Sequence, residues 1–590
     1  MLDRRAQVSD KPSAVVPPSR TLTLRWRDPV RKALVSLVQT PMNSSPARMT
    51  VLDCALMALL CAAAAVVLGK DITSGGLADA DSAAHVMDGV LIHDWVMAGP
   101  SAWQAPMEFA RQQYGHYPTL GIGRHYPPGF AIVEAAFFAA FGISAVSARL
   151  CVLLFGLIAI TGTFVFARGL AGRSAGVLAA MTLLAMPATT LWGRQTMLEV
   201  PTVAVLTWGA VAFSWYLRNP TVRRLALLLA VVLSAIAFKQ SAVFLVCATG
   251  MTLIACAFAG VVPIRHGIAA TVTAGATLLL VILSFDRACL KTLSGYNTYS
   301  DPWSFGSLSF YLRTLPYSTG LVLLTLAALG AAASRRTLGA HWLLLASWTV
   351  VAYVMVTAAS LKVPRFFYVG LFPLAVWAAL GMRRVLTLFP KHVPRGVLTA
   401  GVAVCLLGSA FARPVRQCPD YGPVVAAHRD SLDRRVVLFS GLRDGDFIFA
   451  VREQLPWQSC VVVRGSKLLY TCTAGPQLDL VSYVNSAEQL TELMRRFAFD
   501  YVFIERENKV GTREDDFLRR YLSESGDYRL DSEHQIGIPV DSCRFAKTVD
   551  VYKLTKPIVR EVKHFDIPMP RTGKPIRIAL TTSLPRGEGP

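Results

Sequence analysis

A few unusual groups of ionic side chains stand between and beside the apolar runs of this 590-residue chain. In order they are the stretch Asp79-Ala80-Asp81-Ser82-Ala83-Ala84-His85, the run Arg124-His125-Tyr126-Pro127-Pro128, Arg194 and Glu199, Lys239, and Leu361-Lys362-Val363-Pro364-Arg365-Phe366-Phe367-Tyr368. A carboxylate beside several cations suits transfer from a phosphate ester. The cations hold the phosphate and stabilise charge on the leaving group, while the carboxylate takes a proton from the attacking acceptor. Asp81 is the candidate base, because it opens a segment, Ser82 to Trp95, whose helix-like apolar spacing would fix its side chain. The plainer reading of Asp79 and Asp81 is that they cap that helix.

Lys239, Arg194, Lys362 and Arg365 are the candidate phosphate-binding cations. Lys239 sits between two apolar runs, where an ammonium either snorkels to water or finds a partner. Lys362 and Arg365, beside aromatic residues at the entry to a span, suit a lipid phosphate or an interfacial anchor. Glu199, His125 and Asp79 are candidates for holding the acceptor or a metal. Glu199 precedes Pro201 at a span start, where a carboxylate also complements the helix dipole, and pairing with a lysine is a third use. A lone loop histidine such as His125 is more often an interfacial or structural residue than a ligand. A divalent cation is therefore an open expectation, and no other cofactor is implied.

These residues must be positioned by membrane-spanning helices. With 53% hydrophobic and 16% charged residues, the composition is wrong for soluble domains. Eleven apolar segments are long enough to cross hydrocarbon: 51–69, 149–167, 174–190, 200–217, 225–238, 241–258, 267–285, 316–333, 341–360, 366–382 and 396–412. Gly129 to Phe141, which follows a Pro-Pro pair and contains Glu134, is too short and reads as a re-entrant or interfacial helix. Residues 1–50 carry nine Lys and Arg, so the first span reads as an uncleaved signal anchor behind a basic cytoplasmic tail. Within that tail, Leu22 to Val38 suits either an anionic membrane surface or a disordered segment. The net charge of +21 is spread singly and in pairs through short loops, without the stripe that nucleic acid requires.

Charge fixes a topology. With the N-terminus inside, the inner loops hold Arg168 and Arg173, then Arg218, Arg223 and Arg224, then Arg265, then Arg335 and Arg336, then Arg383, Arg384, Lys391 and Arg395. The first outer loop is acidic, and nearly all of the unusual ionic residues emerge on that outer side. The expected organisation is a basic tail over 1–50, a transmembrane domain over 51–412 with a large outer loop at 70–148, a periplasmic α/β module over 413–555, and a Pro-rich, basic, poorly ordered tail over 556–590. In the module, strand-like stretches at Val436–Phe439, Cys460–Val463, Tyr501–Ile504 and Val549–Tyr552 alternate with helical patterns such as Ala487 to Phe497. An oxidising compartment permits disulfides among Cys418, Cys460, Cys472 and Cys543, although spacing does not choose a pairing, and no zinc-type Cys and His spacing is present.

In this order the motifs resemble the membrane glycosyltransferases of the C superfamily, which include the aminoarabinose transferases of lipid A and the protein O-mannosyltransferases. The resemblance covers about residues 51–382. It rests on Asp81-Ser82-Ala83-Ala84-His85 after the first span; on Pro127-Pro128, Phe141-Gly142 and Arg149; on Arg194 with Glu199; on Lys239; and on Lys362, Arg365 and Pro373. Ser82 stands where a second acid is frequent, and Glu199 where Asp is usual; His125 falls near a metal-binding acid of some relatives. The resemblance implies Asp81 as base, inverting displacement at an anomeric carbon, a polyprenyl-phosphate-linked sugar as donor, and a lipid, glycan or protein acceptor at the periplasmic face of a bacterial inner membrane. The alternatives are a secondary transporter of an envelope precursor, which would place polar residues at mid-membrane depth and show an internal repeat, and a non-catalytic assembly protein.

Overall fold

The computed structural model describes residues 35, 36, 38, 49–77, 80–120, 126–284, 301, 303–359, 362–390, 392–416, 418–471, 480–506, 512–537, 547–556, 558–567 and 575–580. Asp79, Arg124, His125, Cys472, Cys543 and most of residues 22–38 lie outside them.

The first span, α1 (Val51–Leu68), starts from a capping box in which the Thr50 hydroxyl accepts from the Asp53 amide and the Asp53 carboxylate accepts from the Thr50 amide. A loop leads to α2 (Ala80–Met97), α3 (Pro106–His116) and α4 (Gly129–Phe141). The spans then continue as α5 (Ala145–Ala171), α6 (Arg173–Ala185) with α7 (Pro187–Gly193), α8 (Glu199–Arg218), α9 (Val222–Ser234), α10 (Val243–Phe258), α11 (Ile264–Ser284), α12 (Leu321–Leu338), α13 (Ala340–Ala358), α14 (Leu371–Leu386) and α15 (Arg395–Ala412). Among the described residues nine helices are long and apolar enough to cross a membrane, and ten if α6 and α7, bent by 66° at Met186, form one span. The chain is a polytopic helical membrane protein. Its outer helices leave large side chains such as Leu59, Leu280 and Val404 exposed for lipid, while α5, α6, α8 and α14 pack at the centre.

The fifth expected span, 225–238, is the 13-residue α9 followed by a 3-10 turn over Ala235–Ala237, too short to pass on length. Its end nonetheless brings Lys239 to within 2.6 Å of Glu199, the first residue of α8. Residues 222–238 thus return over the depth that α8 covers. The expected short helix at 129–141 is α4, 13 residues stopped by Gly142 at φ 80°.

Ionic contacts sort the span ends onto two rims. Buried Asp53 meets Arg168 at 2.7 Å and Arg173 at 2.8 Å on one rim. On the other, Lys70 donates to Phe411 O at 3.0 Å, and Arg194 joins the ends of α1 and α15.

Beyond α15 the chain forms an α/β module: α16 (Gly422–Leu432), β1 (Arg435–Ser440), α17 (Asp444–Gln454), β2 (Cys460–Arg464), α18 (Ala487–Phe497), β3 (Tyr501–Glu505), α19 (Arg513–Glu524), β4 (Tyr528–Gln535) and β5 (Thr548–Leu554). The sheet order is β2-β1-β3-β5-β4, parallel through β2, β1 and β3 and antiparallel beyond. Strands β1, β2 and β3 are buried on both faces, so they read as continuous apolar runs. Cys418 and Cys460 are buried and not joined to each other. The basic tail expected to lack order contains the antiparallel pair His564–Ile567 and Ile576–Ala579. It is ordered there because Phe565 packs on Phe497 with ring centroids 5.5 Å apart and Ile567 is buried.

Candidate active site

Two carboxylates at helix starts and two cations at helix breaks converge on the second rim. Asp81 lies in the first turn of α2 and Glu199 opens α8, positions where the amide ends of a helix favour negative charge. Lys239 occupies an extended residue between two 3-10 turns, and Arg365 lies in the 3-10 segment Pro364–Gly370 that leads into α14. Such breaks let a long side chain turn back toward the rim.

The Arg365 guanidinium donates to Asp81 Oδ2, and its Nε lies 3.9 Å from Glu199 Oε1. Lys239 Nζ donates to the same Glu199 oxygen at 2.6 Å. Glu199 Oε2 has no hydrogen-bond partner among the described residues. Burial decreases outward: the Glu199 side chain is 2% exposed, Arg365 11%, Lys239 15% and Asp81 35%, so Asp81 is the member that reaches the opening. Burial works to raise the Asp81 carboxyl, but the charge of Arg365, with help from Lys239, outweighs it and holds Asp81 below the usual carboxylate range. One turn on, His85 is buried with its ring against Tyr126, centroids 4.4 Å apart. Burial pulls this imidazole down to about 4 despite the carboxylates of Asp81 and Glu199, so it is neutral at neutral pH. Trp192 stands 5.9 Å from the Arg365 guanidinium, a cation–π arrangement that limits its travel.

Residues 125–285, which include Glu199 and Lys239, match the sequence profile of the family described as dolichyl-phosphate-mannose-protein mannosyltransferase. Two solved structures of ArnT from Cupriavidus metallidurans superpose on the chain. The one bound to undecaprenyl phosphate gives a TM-score of 0.51 at 15% identity, covering 85% of this chain and 98% of that one. The apo state gives 0.50 at 14% identity with the same coverage. The chain shares the fold of ArnT. No curated protein sequence matches it.

Within this fold, two of the cations singled out in the sequence donate to main-chain carbonyls. Arg194, 5% exposed, donates to the carbonyls of Val67 (2.9 Å), Arg413 (3.1 Å), Pro414 (3.4 Å) and Ala410 (3.3 Å), tying helix ends together. Lys362, also 5% exposed, donates to Thr357 O and, at 2.6 Å, to Ala359 O at the end of α13. Among the described residues no group of three His, Cys, Asp or Glu side chains is placed to hold a metal. Asp81 and Glu199 are each engaged by a cationic side chain, a donor set that does not fit a divalent ion between them.

Arg149 contributes in a way its sequence position did not reveal. Each of its terminal nitrogens serves two carbonyls: Nη1 donates to Ile72 O (2.8 Å) and Ser74 O (3.0 Å), Nη2 to Gly75 O (2.9 Å) and Gly76 O (2.8 Å). It thereby shapes the loop that feeds α2. Only glycine fits at Gly76, where a Cβ would lie 1.9 Å from Pro419 O. Beside this loop, Gly76, Leu77, Arg149, Asp420, Tyr421 and Glu453 line a cavity of about 320 Å³.

Proposed function

We propose that the chain is an inverting glycosyltransferase that moves a sugar from a polyprenyl-phosphate donor to an acceptor at the periplasmic face of a bacterial inner membrane. The observation that carries this reading is the convergence of Asp81, Glu199, Lys239 and Arg365, from four separate elements, on one rim of the span bundle. The family profile over 125–285 and the fold shared with a protein solved with undecaprenyl phosphate support the donor class.

The resting Asp81–Arg365 pair suggests how the site loads. The donor phosphodiester presents two unesterified oxygens that share one negative charge, and Arg365 turning to them releases Asp81. The acceptor hydroxyl then attacks the anomeric carbon from the face opposite the phosphate. The new C–O bond forms as the C–O bond to phosphate breaks, and the bonding electrons leave on the phosphate, whose charge Lys239 and Arg365 offset. Asp81 takes the hydroxyl proton. In the resting pair Arg365 holds the Asp81 carboxyl low and ionised, and once Arg365 turns to the phosphate that hold weakens and Asp81 becomes the stronger base for this proton. Glu199, bonded to Lys239, holds that cation at the rim. No step requires a metal.

The test compares envelope glycans from cells carrying the intact chain or Asp81→Asn at equal expression. Loss of one glycan modification in the variant is the expected result, and an unchanged glycan profile would remove Asp81 from the reaction.

A further inference from the structure

The α/β module has no role in the chemistry above, yet it grips the helix that carries the base. At 100° per residue, Asp81, His85 and Asp88 fall on one side of α2, while Ala83, Val86, Met87, Val90 and Asp94 fall on the opposite side. That second side is buried in a core shared with Phe447, Ile448 and Val451 of α17.

The two helices are matched at both ends. Near their starts, a Cβ at Gly445 would lie 2.9 Å from the Ala83 Cβ, and Arg443 donates to Leu77 O just ahead of α2. Near their far ends, Arg452 meets Asp94 with two bonds, Nη2 to Oδ1 at 2.6 Å and Nε to Oδ2 at 3.1 Å. Gln113 of α3 adds a bond to Asp94 Oδ2 at 3.1 Å, and Asp94 and Arg452 are 4% and 8% exposed. From Ala83 to Asp94 is about 16 Å of helix, and from Gly445 to Arg452 about 10 Å plus the length of an arginine side chain. The spacing therefore fits two helices lying side by side in one register.

We propose that α17 is a splint for α2, with Arg452, Asp94 and Gly445 as positioning residues that set where Asp81 stands. The inference rests on the reading of Asp81 as base. It assigns the module a catalytic purpose without any contact to substrate.

The full-length chain in lipid nanodiscs supplies the test, with undecaprenyl phosphate as the binding probe, hydrogen exchange over residues 80–90, and glycan modification per folded enzyme molecule in complemented cells. Arg452→Gln and Gly445→Val are expected to lower modification on the order of tenfold or more. Affinity for undecaprenyl phosphate should stay within a few-fold and amide protection of the first turns of α2 should fall. Arg495→Gln, which breaks the peripheral Arg495–Asp527 pair of the module, should do neither. Where Arg452→Gln fails to fold, Arg452→Lys keeps the charge, and its intermediate turnover at equal folded amount supports the splint. Wild-type modification by folded Arg452→Lys, or by folded Arg452→Gln and Gly445→Val, overturns it. Asp81→Asn in parallel separates the two ideas: an active Asp81→Asn sinks the proposed chemistry, whereas an inactive one beside active Arg452 variants sinks the splint alone.

Discussion

Replacing Arg149 by lysine keeps the charge and most of the length, and the structure says it should not be tolerated. The guanidinium forks to the carbonyls of Ile72, Ser74, Gly75 and Gly76 at 2.8–3.0 Å, and the side chain is 4% exposed. Hydrogen bonds from a charged donor contribute about 1.5–3 kcal/mol each, but the loop carbonyls are only half-buried and recover part of that from water. Removing the fork altogether, as in Arg149→Met, is expected to cost about 3–5 kcal/mol, the usual range for breaking a buried charged network. An ammonium is a point charge with three donors that do not lie in a plane, so Arg149→Lys should retain roughly half of the interaction and lose about 2 kcal/mol. Because the same loop feeds α2, faster hydrogen exchange over residues 72–83 should accompany the loss. Unfolding of both variants in detergent micelles measures the ordering. A lysine variant within about 0.5 kcal/mol of the parent, with unchanged exchange in the loop, would show that four aligned carbonyls do not need the planar fork.

Lys239→Ala should weaken binding of undecaprenyl phosphate on the order of tenfold, and Lys239→Ala/Glu199→Gln should recover stability without recovering affinity; a titration in nanodiscs distinguishes the two. Arg365→Gln removes the cation that lowers the Asp81 carboxyl, so the carboxyl rises and the acid limb of the pH–activity profile moves to higher pH; a limb that stays or moves down contradicts the assigned pair. Glu134, fully buried with neither oxygen bonded among the described residues, is driven well above the usual carboxyl range by burial and by Asp88. Its folded form holds the proton more tightly than the unfolded chain does. That contribution is complete below the ordinary carboxyl value and is lost, at about 1.4 kcal/mol per pH unit, as pH rises toward the raised one. Glu134→Gln should flatten that slope in unfolding measurements made across pH.

Length and charge made the spans legible, because lipid demands both a minimum apolar run and a sided distribution of arginine. The limit of that signal is α9, whose 13 helical residues fall short by themselves although the chain returns to the level of Glu199. Apolar strands such as Val436–Phe439 announced themselves, whereas β4, with the sequence YRLDSEHQ and an exposed pattern, is an edge strand recognisable only from its pairing with β5. Ionic interruptions marked the rim residues, but one pattern covered two different uses. Arg365 and Lys239 reach side-chain carboxylates, while Arg194, Arg149 and Lys362 reach main-chain carbonyls, which every residue possesses and no sequence motif reports. His85 and Arg149 were visible as residue types, yet the burial of one and the four-way bonding of the other depend on elements distant in sequence.

The mouth of the bundle is fastened by arginine on carbonyl oxygen, through Arg194 and Arg149, and by the Asp81–Arg365 and Glu199–Lys239 links, which depend on a carboxylate. Amide oxygens neither titrate near neutrality nor leave for a better partner. Acidity or an incoming anion can therefore unlatch the ionic links while the seams between helix ends remain shut, so the opening can trade ligands without loosening its frame.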